Sequence, residues 1–238
     1  MYTTTVTVSG NGNYITTNTA VAKQTGVYYW TATYSGDVNN NGASSTGKPG
    51  VPGSDPNERA TVIALHSTGK TRTLGYWANQ GNSSITQTDI NYLNTLYLRK
   101  ADGTRYTITG TLAQERASLA TFLNSASATN MANMLSAQLI ATYLNTSHGL
   151  VTTSTYVYVG GIQLNSYLTK VGSNADGSGG ASIVNANGFV LIGDLLSVAS
   201  DWLKSFGNTV TSNYARSAEE AFKNVFDAIN SDKSIFLI

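Results

Sequence analysis

The sequence Gly-Val-Tyr-Tyr-Trp-Thr-Ala-Thr-Tyr-Ser-Gly-Asp, residues 26–37, decides how the front of this chain folds. Its β-branched and aromatic residues predict a β-strand, and Ser-Gly-Asp predicts the turn that ends it. Side chains alternate between the two faces of a strand, so we expect Trp30 to fill a core. Two further strand-like runs precede it, at residues 2–8 and 13–18. Two or three strands without a facing sheet are marginal in water, so we expect an unfinished sheet in a piece of something longer.

The composition favours a folded chain whose solubility rests on neutral polar groups. Of the 238 residues, 41% are hydrophobic and only 11% are charged, against roughly 25% charged in ordinary soluble domains. The formal net charge is +1 with scattered basic residues, which argues against nucleic acid as a partner and against membrane-surface binding. The absence of cysteine excludes disulfides, thiolate metal sites and a thiol nucleophile. We also expect no membrane span in this chain, because no apolar run approaches the roughly 20 residues that a span needs.

The prolines suggest where the chain divides. All three of them, Pro49, Pro52 and Pro56, fall within twenty residues of one another among several glycines, a composition typical of connectors. The sequence therefore predicts a β module over residues 1–47, a Pro/Gly linker over residues 48–59 and an α+β domain over residues 60–238.

Within the larger domain, hydrophobic spacing and capping signals predict about five helices and a short sheet. Thr86-x-x-Asp89 and Thr111-x-x-Gln114 resemble capping boxes in front of apolar helical faces. Other helices are predicted over residues 129–146, 192–206 and, capped by Ser217-Ala-Glu-Glu220, near the C-terminus. Strand-like runs occupy residues 60–66 and 152–168, and residues 172–180 are predicted to form a loop. The apolar terminus 234–238 is expected to dock, either on this chain or on a neighbour.

A resemblance to a known class of protein rests on these residues. Tyr28 to Asp37, followed by Asn39-Asn40-Asn41, resembles the closing strand of the immunoglobulin-like (Ig-like) repeats found in tandem in very large bacterial surface proteins. The remainder is similar to a C-terminal segment of such proteins, carried by Leu74-Gly-Tyr-Trp77 with Asn79, Asn130-Met-Ala132, Leu135 to Ala141 with Leu144-Asn145 and Gly149, Tyr156 to Gly161, and Ala218 to Asn230.

The resemblance implies an exported, cell-surface protein with a structural or adhesive role and no catalytic residues. The chain departs from the pattern at one place. Relatives often follow Gly-Tyr-Trp with a polar run like Lys-Asn-His, whereas Ala78-Asn-Gln-Gly81 stands here. No polar role is therefore carried over to that run.

One enzymatic alternative is a nucleotide site. Ala64-Leu-His-Ser-Thr-Gly-Lys70-Thr71 is one residue short of a phosphate-binding loop, and the strand-like run ending in Asp194 resembles its magnesium-binding partner. A phosphate loop needs its first glycine and a helix directly after the Lys-Thr pair. Position 64 is alanine and residues 72–75 start no helix pattern, so a hairpin turn is the favoured interpretation.

Two binding alternatives also arise. Asp37, Asn39 and Asn41 match the first half of a calcium loop, but the bidentate glutamate is missing, so an Asx-rich turn is favoured over a weak calcium site. Tyr76 and Trp77 offer an aromatic platform for a sugar ring, and the competing interpretation is core packing. The only histidines, His66 and His148, indicate no catalytic triad.

The sequence as a whole predicts an α+β protein, with a partial Ig-like β-sandwich module followed by a mainly helical domain with a short sheet. We expect an extracellular, cell-surface structural or adhesive segment that is not an enzyme and needs no cofactor. Its expected partners are other surface-protein modules or copies of itself. We expect the N-terminal strands to pair with β structure elsewhere, either on the C-terminal domain or on a neighbouring chain. The alternatives are carbohydrate binding through Tyr76 and Trp77, and a nucleotide-binding enzyme using Lys70 and Asp194.

Overall fold

The computed structural model of the chain describes residues 3–10, 12–15, 25–62, 64–159, 184–185, 188–211 and 213–237. The chain divides into two compact units, Met1–Ala64 and Leu65–Ile238. We refer to them as the N-terminal unit and the C-terminal unit.

The described part of the N-terminal unit is built from short antiparallel strands. They are, in chain order, β1 (Gly26–Tyr29), β2 (Thr31–Tyr34), β3 (Ala43–Thr46) and β4 (Arg59–Val62). β1 pairs with β4, and β2 pairs with β3.

Trp30 joins the two pairings into one ribbon. Its amide nitrogen donates to the Glu58 carbonyl oxygen (2.8 Å), and its own carbonyl accepts from the Gly47 amide (3.0 Å). Both groups of one residue in a strand point to the same edge. β3 and β4 therefore follow one another along the same edge of the segment from Gly26 to Tyr34, and residues 48–57 leave the ribbon as a loop between them.

The predicted linker, residues 48–59, lies inside the N-terminal unit. The Thr46 amide donates to Gly53 O (3.0 Å) and the Asp55 amide donates to Thr46 O (2.9 Å), so the loop folds back along β3. A 3₁₀ turn, Pro56–Glu58, then leads into β4. The division between the units falls after Ala64 rather than at the prolines, because β4 pairs with β1.

The expectation that Trp30 fills a core is wrong. Its side chain is 51% exposed, and no hydrophobic side chain among the described residues of this unit is buried. The ribbon has no second layer among those residues, so neither face of the strand becomes an interior. The strands expected at residues 2–8 and 13–18 are also wrong where the structure describes them. Residues 3–8 and 13–15 form no strand and pair with no described strand. Residues 2 and 16–18 lie outside the described residues.

The C-terminal unit is mainly helical, as the sequence predicts. The α-helices among its described residues are α1 (Leu74–Ala78), α2 (Gln87–Leu93), α3 (Leu112–Ser125), α4 (Met131–Ser147), α5 (Ile192–Ser205) and α6 (Tyr214–Asn230), with a 3₁₀ turn at Asn82–Ser84.

Side-chain caps mark the start of each of these helices except α5. Both predicted capping boxes form, one between Thr86 and Asp89 and the other between Thr111 and Gln114. The start predicted at Ser217-Ala-Glu-Glu220 is wrong. α6 begins one turn earlier because the Asn213 side chain accepts from the Arg216 amide and caps it.

A small antiparallel sheet completes this unit. Its strands are β5 (Tyr156–Tyr158), β6 (Phe189–Leu191) and β7 (Phe236–Leu237), in the order β6-β5-β7. The apolar terminus docks as expected, since Phe236 is fully buried beside β5. The rest of the predicted strand beyond residue 159 and the predicted loop 172–180 lie outside the described residues. The mix of helices with small antiparallel sheets confirms the α+β class.

α4 is the centre of the hydrophobic core and packs along α6. Their contact includes a buried polar seam made of Gln138, Thr142, Asn145 and Asn230. The Asn230 side-chain nitrogen donates to Gln138 O (2.9 Å) and Gln138 Oε1 (2.8 Å). Its side-chain oxygen accepts from the Thr142 hydroxyl and from the Asn145 side-chain nitrogen, both at 3.0 Å. Together these contacts satisfy both polar atoms of the buried Asn230 side chain.

Candidate functional site

The free edge of the ribbon is the most prominent candidate for an interaction. In the segment from Gly26 to Tyr34, Trp30 and every second residue on either side of it direct their N–H and C=O groups toward the edge that pairs with β3 and β4. The intervening residues Val27, Tyr29, Thr31 and Thr33 therefore direct their N–H and C=O groups to the opposite, outer edge. Within the described residues of the N-terminal unit, no strand pairs with this outer edge.

The side chains along this edge lack the features that usually prevent unwanted pairing. From Gly26 to Tyr34 there is no charged residue and no proline, and Val27, Tyr29 and Trp30 are exposed. Natural edge strands are commonly protected by lysine, proline or an inward-pointing charge. The outer edge therefore has the chemistry of a strand that is open to pairing.

Asp37 holds the turn that closes the ribbon. Its Oδ1 accepts from the amides of Asn39 (2.8 Å) and Asn40 (2.9 Å), and its Oδ2 accepts from the Tyr34 hydroxyl (2.6 Å). The Tyr34 hydroxyl and then these amides lower the pKa of Asp37 to about 2. The arrangement is an Asx turn. Both carboxylate oxygens of the predicted calcium ligand are thus engaged within the turn. Among the hydrogen bonds of the described residues, none joins Asn41 to Asp37 or Asn39.

The predicted platform of Tyr76 and Trp77 is wrong for Trp77. α1 turns its indole into the core, where it is only 2% exposed, and its Nε1 lies 3.3 Å from the Asn145 Oδ1 that it donates to. A ring in that position offers no face to a sugar. Tyr76 is half-buried and meets Trp77 edge-on, with ring centroids 5.3 Å apart.

Tyr76 lines an open depression of about 620 Å³ on the C-terminal unit. The Arg72 guanidinium lies 5.5 Å from the Tyr76 ring centre, a cation–π distance. The remaining lining residues are neutral and mostly polar: Thr71, Thr73, Gly75, Asn79 and Gln80. A single aromatic face beside one cation is a sparse set of contacts for a specific small ligand.

The loop that resembles a phosphate site already holds an anion of the chain itself. The amides of Thr68 (2.8 Å) and Gly69 (2.6 Å) donate to the Asp232 carboxylate, as does the Thr68 hydroxyl (2.6 Å). The Thr71 hydroxyl donates to Ile229 O (2.7 Å). The loop is therefore fixed to the end of α6. The expectation that residues 72–75 start no helix is wrong, because Thr73 caps α1, which begins at Leu74.

The second residue of the nucleotide alternative, Asp194, lies in the first turn of α5 with its side chain exposed. Lys70 is also exposed. No contact between the two residues is present among the hydrogen bonds and ion pairs of the described residues. The geometry gives this alternative no support.

The sequence did not reveal a polar cluster around Asp89. Its carboxylate accepts from the Thr86 amide (2.8 Å) and hydroxyl (2.7 Å) and from the Ser147 hydroxyl. His148 Nε2 lies 3.3 Å from Asp89 Oδ2. Burial opposes ionisation of Asp89, but the bonds from Ser147 and Thr86 and the charge of His148 outweigh it and lower its pKa.

This cluster is not a catalytic triad. The carboxylate stands between serine and histidine, so the imidazole has no access to the serine proton that it would remove. The cluster instead ties the start of α2 to the end of α4. The capping-box pattern indicated Asp89 as a cap, but the contact with residues 147 and 148 depends on packing that no local pattern encodes.

No group of three or more His, Cys, Asp or Glu side chains in the described ranges is arranged to hold a metal ion. No described helix is long and apolar enough to cross a membrane. In comparisons with known proteins, no family model, no curated protein and no solved structure matches this chain.

Proposed function

We propose that the chain is a structural or adhesive segment of an extracellular bacterial surface protein, and that it assembles with copies of itself by pairing the outer edge of the ribbon. The observation that carries the proposal is the lack of a buried hydrophobic side chain among the described residues of the N-terminal unit. A two-stranded ribbon without a covered face is marginal in water. Such an element gains stability when another strand is added to it.

The finer part of the proposal concerns the kind of module. The strand from Gly26 to Tyr34, followed by the Asp37 turn, fits the closing hairpin of an Ig-like module whose other strands come from a partner. The resemblance of residues 28–41 to tandem surface repeats supports this assignment and the cell-surface location. The nonenzymatic role follows from the same resemblance.

The experiment is to block the outer edge without disturbing the ribbon. We expect the wild type and Thr33→Ala to form dimers in size-exclusion chromatography with light scattering, and Thr33→Pro to stay monomeric. Proline removes the outward N–H of residue 33, a position where edge strands tolerate it. The alanine variant controls for the loss of the threonine side chain.

The proposal would be contradicted if the wild type stayed monomeric up to about 1 mM, a concentration at which even a dimer with a millimolar dissociation constant is detectable. Equal dimerisation of Thr33→Pro and Thr33→Ala would contradict it as well, since dimers would then form through another surface.

A further inference from the structure

Glu219 is a buried carboxyl group with no counter-ion at its side. It lies on α6, and its side chain is 0% exposed. Its Oε1 has no hydrogen-bond partner, and its Oε2 contacts the hydroxyl of Thr209. Neither ion pair among the described residues involves it. Burying a carboxylate in such a place costs much more free energy than burying a neutral carboxylic acid.

The hydrogen bonds around Thr209 require an extra proton. Its Oγ1 accepts from the Ala132 amide (3.1 Å) and lies within bonding distance of two acceptors, Asn130 Oδ1 (3.1 Å) and Glu219 Oε2. A threonine hydroxyl has a single proton to donate. Both contacts are hydrogen bonds only when Glu219 carries a proton, donates it to Thr209, and Thr209 in turn donates to Asn130.

The charged groups around Glu219 are Arg216, on the same helix, and Arg99, from the loop before α3. Arg216 donates to the carbonyl oxygens of Ala128, Thr129 and Thr209. Arg99 donates to the carbonyl oxygens of Gly103, Leu203 and Lys204. Both guanidinium groups therefore donate their hydrogen bonds to backbone carbonyls, and neither forms an ion pair with Glu219.

Asn130 connects this group to the central helix. Its Oδ1 caps α4 by accepting from the Ala132 amide (3.3 Å) and also accepts from the Thr209 amide (3.1 Å). Its nitrogen donates to Ala101 O (3.2 Å) and Gly207 O (3.4 Å). One side chain thus holds both the first turn of α4 and the segment after α5.

We propose that Glu219, Thr209 and Asn130 form a proton-dependent latch that fixes residues 207–211 to the start of α4. With Glu219 protonated, the chain of donors is complete and the latch is closed. When Glu219 ionises, Thr209 turns its only proton to the carboxylate, Asn130 loses a donor, and a buried negative charge remains. The latch then loosens.

The direction of the pH effect follows from this. Burial raises the pKa of Glu219 to about 7, against the opposing effects of the Thr209 bond and the charges of Arg216 and Arg99. A carboxyl whose pKa is higher in the folded state stabilises the fold fully below its unfolded pKa of 4.5. That stabilisation is lost as the pH rises through the folded value. Mild acid therefore closes the latch.

The test compares Glu219→Gln with the wild type in urea unfolding of the full chain at about pH 5 and about pH 8.5. We expect the ratio of the wild-type unfolding constant to that of Glu219→Gln to rise about 100-fold between these pH values, because glutamine does not ionise. Glu220→Gln, the same change at the exposed neighbour on α6, should follow the wild type. Parallel curves for wild type and Glu219→Gln would overturn the proposal.

A measurement on the unaltered protein covers the case in which Glu219→Gln does not fold. In a carbon-13 NMR titration, one glutamate carboxyl should titrate near neutral pH, and the amides of Thr209 and Ala132 should exchange faster once it has ionised. Exchange rates are compared after correction for their intrinsic pH dependence, with amides in the middle of α4 as the reference. If every glutamate carboxyl titrates below about pH 5, in the ordinary range, the latch does not exist.

Discussion

Gly47 is the residue at which the two halves of the ribbon meet. A Cβ atom built on it would lie 1.9 Å from the Glu58 carbonyl oxygen, and that oxygen accepts the Trp30 amide. No side chain fits there without moving backbone. The glycine is needed because residues 47 and 58 both approach Trp30 from the same edge, where the loop of residues 48–57 leaves and returns.

We therefore expect Gly47→Ala to separate β4 from β1. The Trp30 amide should lose at least about tenfold of its protection from hydrogen exchange, since its acceptor is displaced. Gly12→Ala is the control in the same unit, because a Cβ at Gly12 meets nothing within 4 Å. If the Trp30 amide keeps its protection in Gly47→Ala, the backbone at residues 47 and 58 can move apart without breaking the hydrogen bond to Trp30, and the expectation is wrong.

At the scale of elements, the contact between α4 and α6 depends on the polar seam as well as on apolar packing. The buried side chain of Asn230 makes four hydrogen bonds. Removing it takes one partner each from Gln138 Oε1, the Thr142 hydroxyl and the Asn145 side-chain nitrogen, all in a buried region. Unpaired buried groups cost more than the bonds themselves contribute.

Asn230→Ala should lower the free energy of unfolding by about 2–4 kcal/mol, because several buried groups lose partners at once. Asn224→Ala, an exposed position on the same helix, should change it by less than about 0.5 kcal/mol. Urea unfolding followed by tryptophan fluorescence measures both. Equal effects of the two substitutions would mean that water replaces Asn230 in the seam.

At the scale of the whole molecule, stability is unevenly distributed between the units. Every buried hydrophobic side chain of the described residues belongs to the C-terminal unit. Hydrophobic burial is the main source of folding free energy. The C-terminal unit therefore has what it needs to fold by itself, and the described part of the N-terminal unit does not.

We expect a chain of residues 65–238 to melt within about 2 °C of the main transition of the full chain, since it keeps that core intact. Differential scanning calorimetry of both proteins measures this. A drop of more than about 5 °C would contradict the expectation and would show that residues 1–64 stabilise the larger unit.

What the sequence by itself determined is the set of features that depend on neighbours within one or two helical turns. The capping boxes at Thr86 and Thr111 and the span of α4 were predicted because hydrogen bonds and apolar spacing there join residues three or four apart. The α+β class follows from the same local patterns. The misplaced start of α6 shows their limit, since Asn213 and Ser217 both offer a capping side chain.

Only the tertiary structure decided which side chains became interior. Trp30 and Trp77 lie in similar aromatic stretches, yet the first is exposed on a ribbon without a second layer and the second is enclosed beside Asn145. Asp232 fills the loop at Thr68, and Thr209 meets Glu219 through a turn between helices. Burial and long-range pairing depend on which elements come together in space. A local sequence pattern does not specify which distant element a residue will contact.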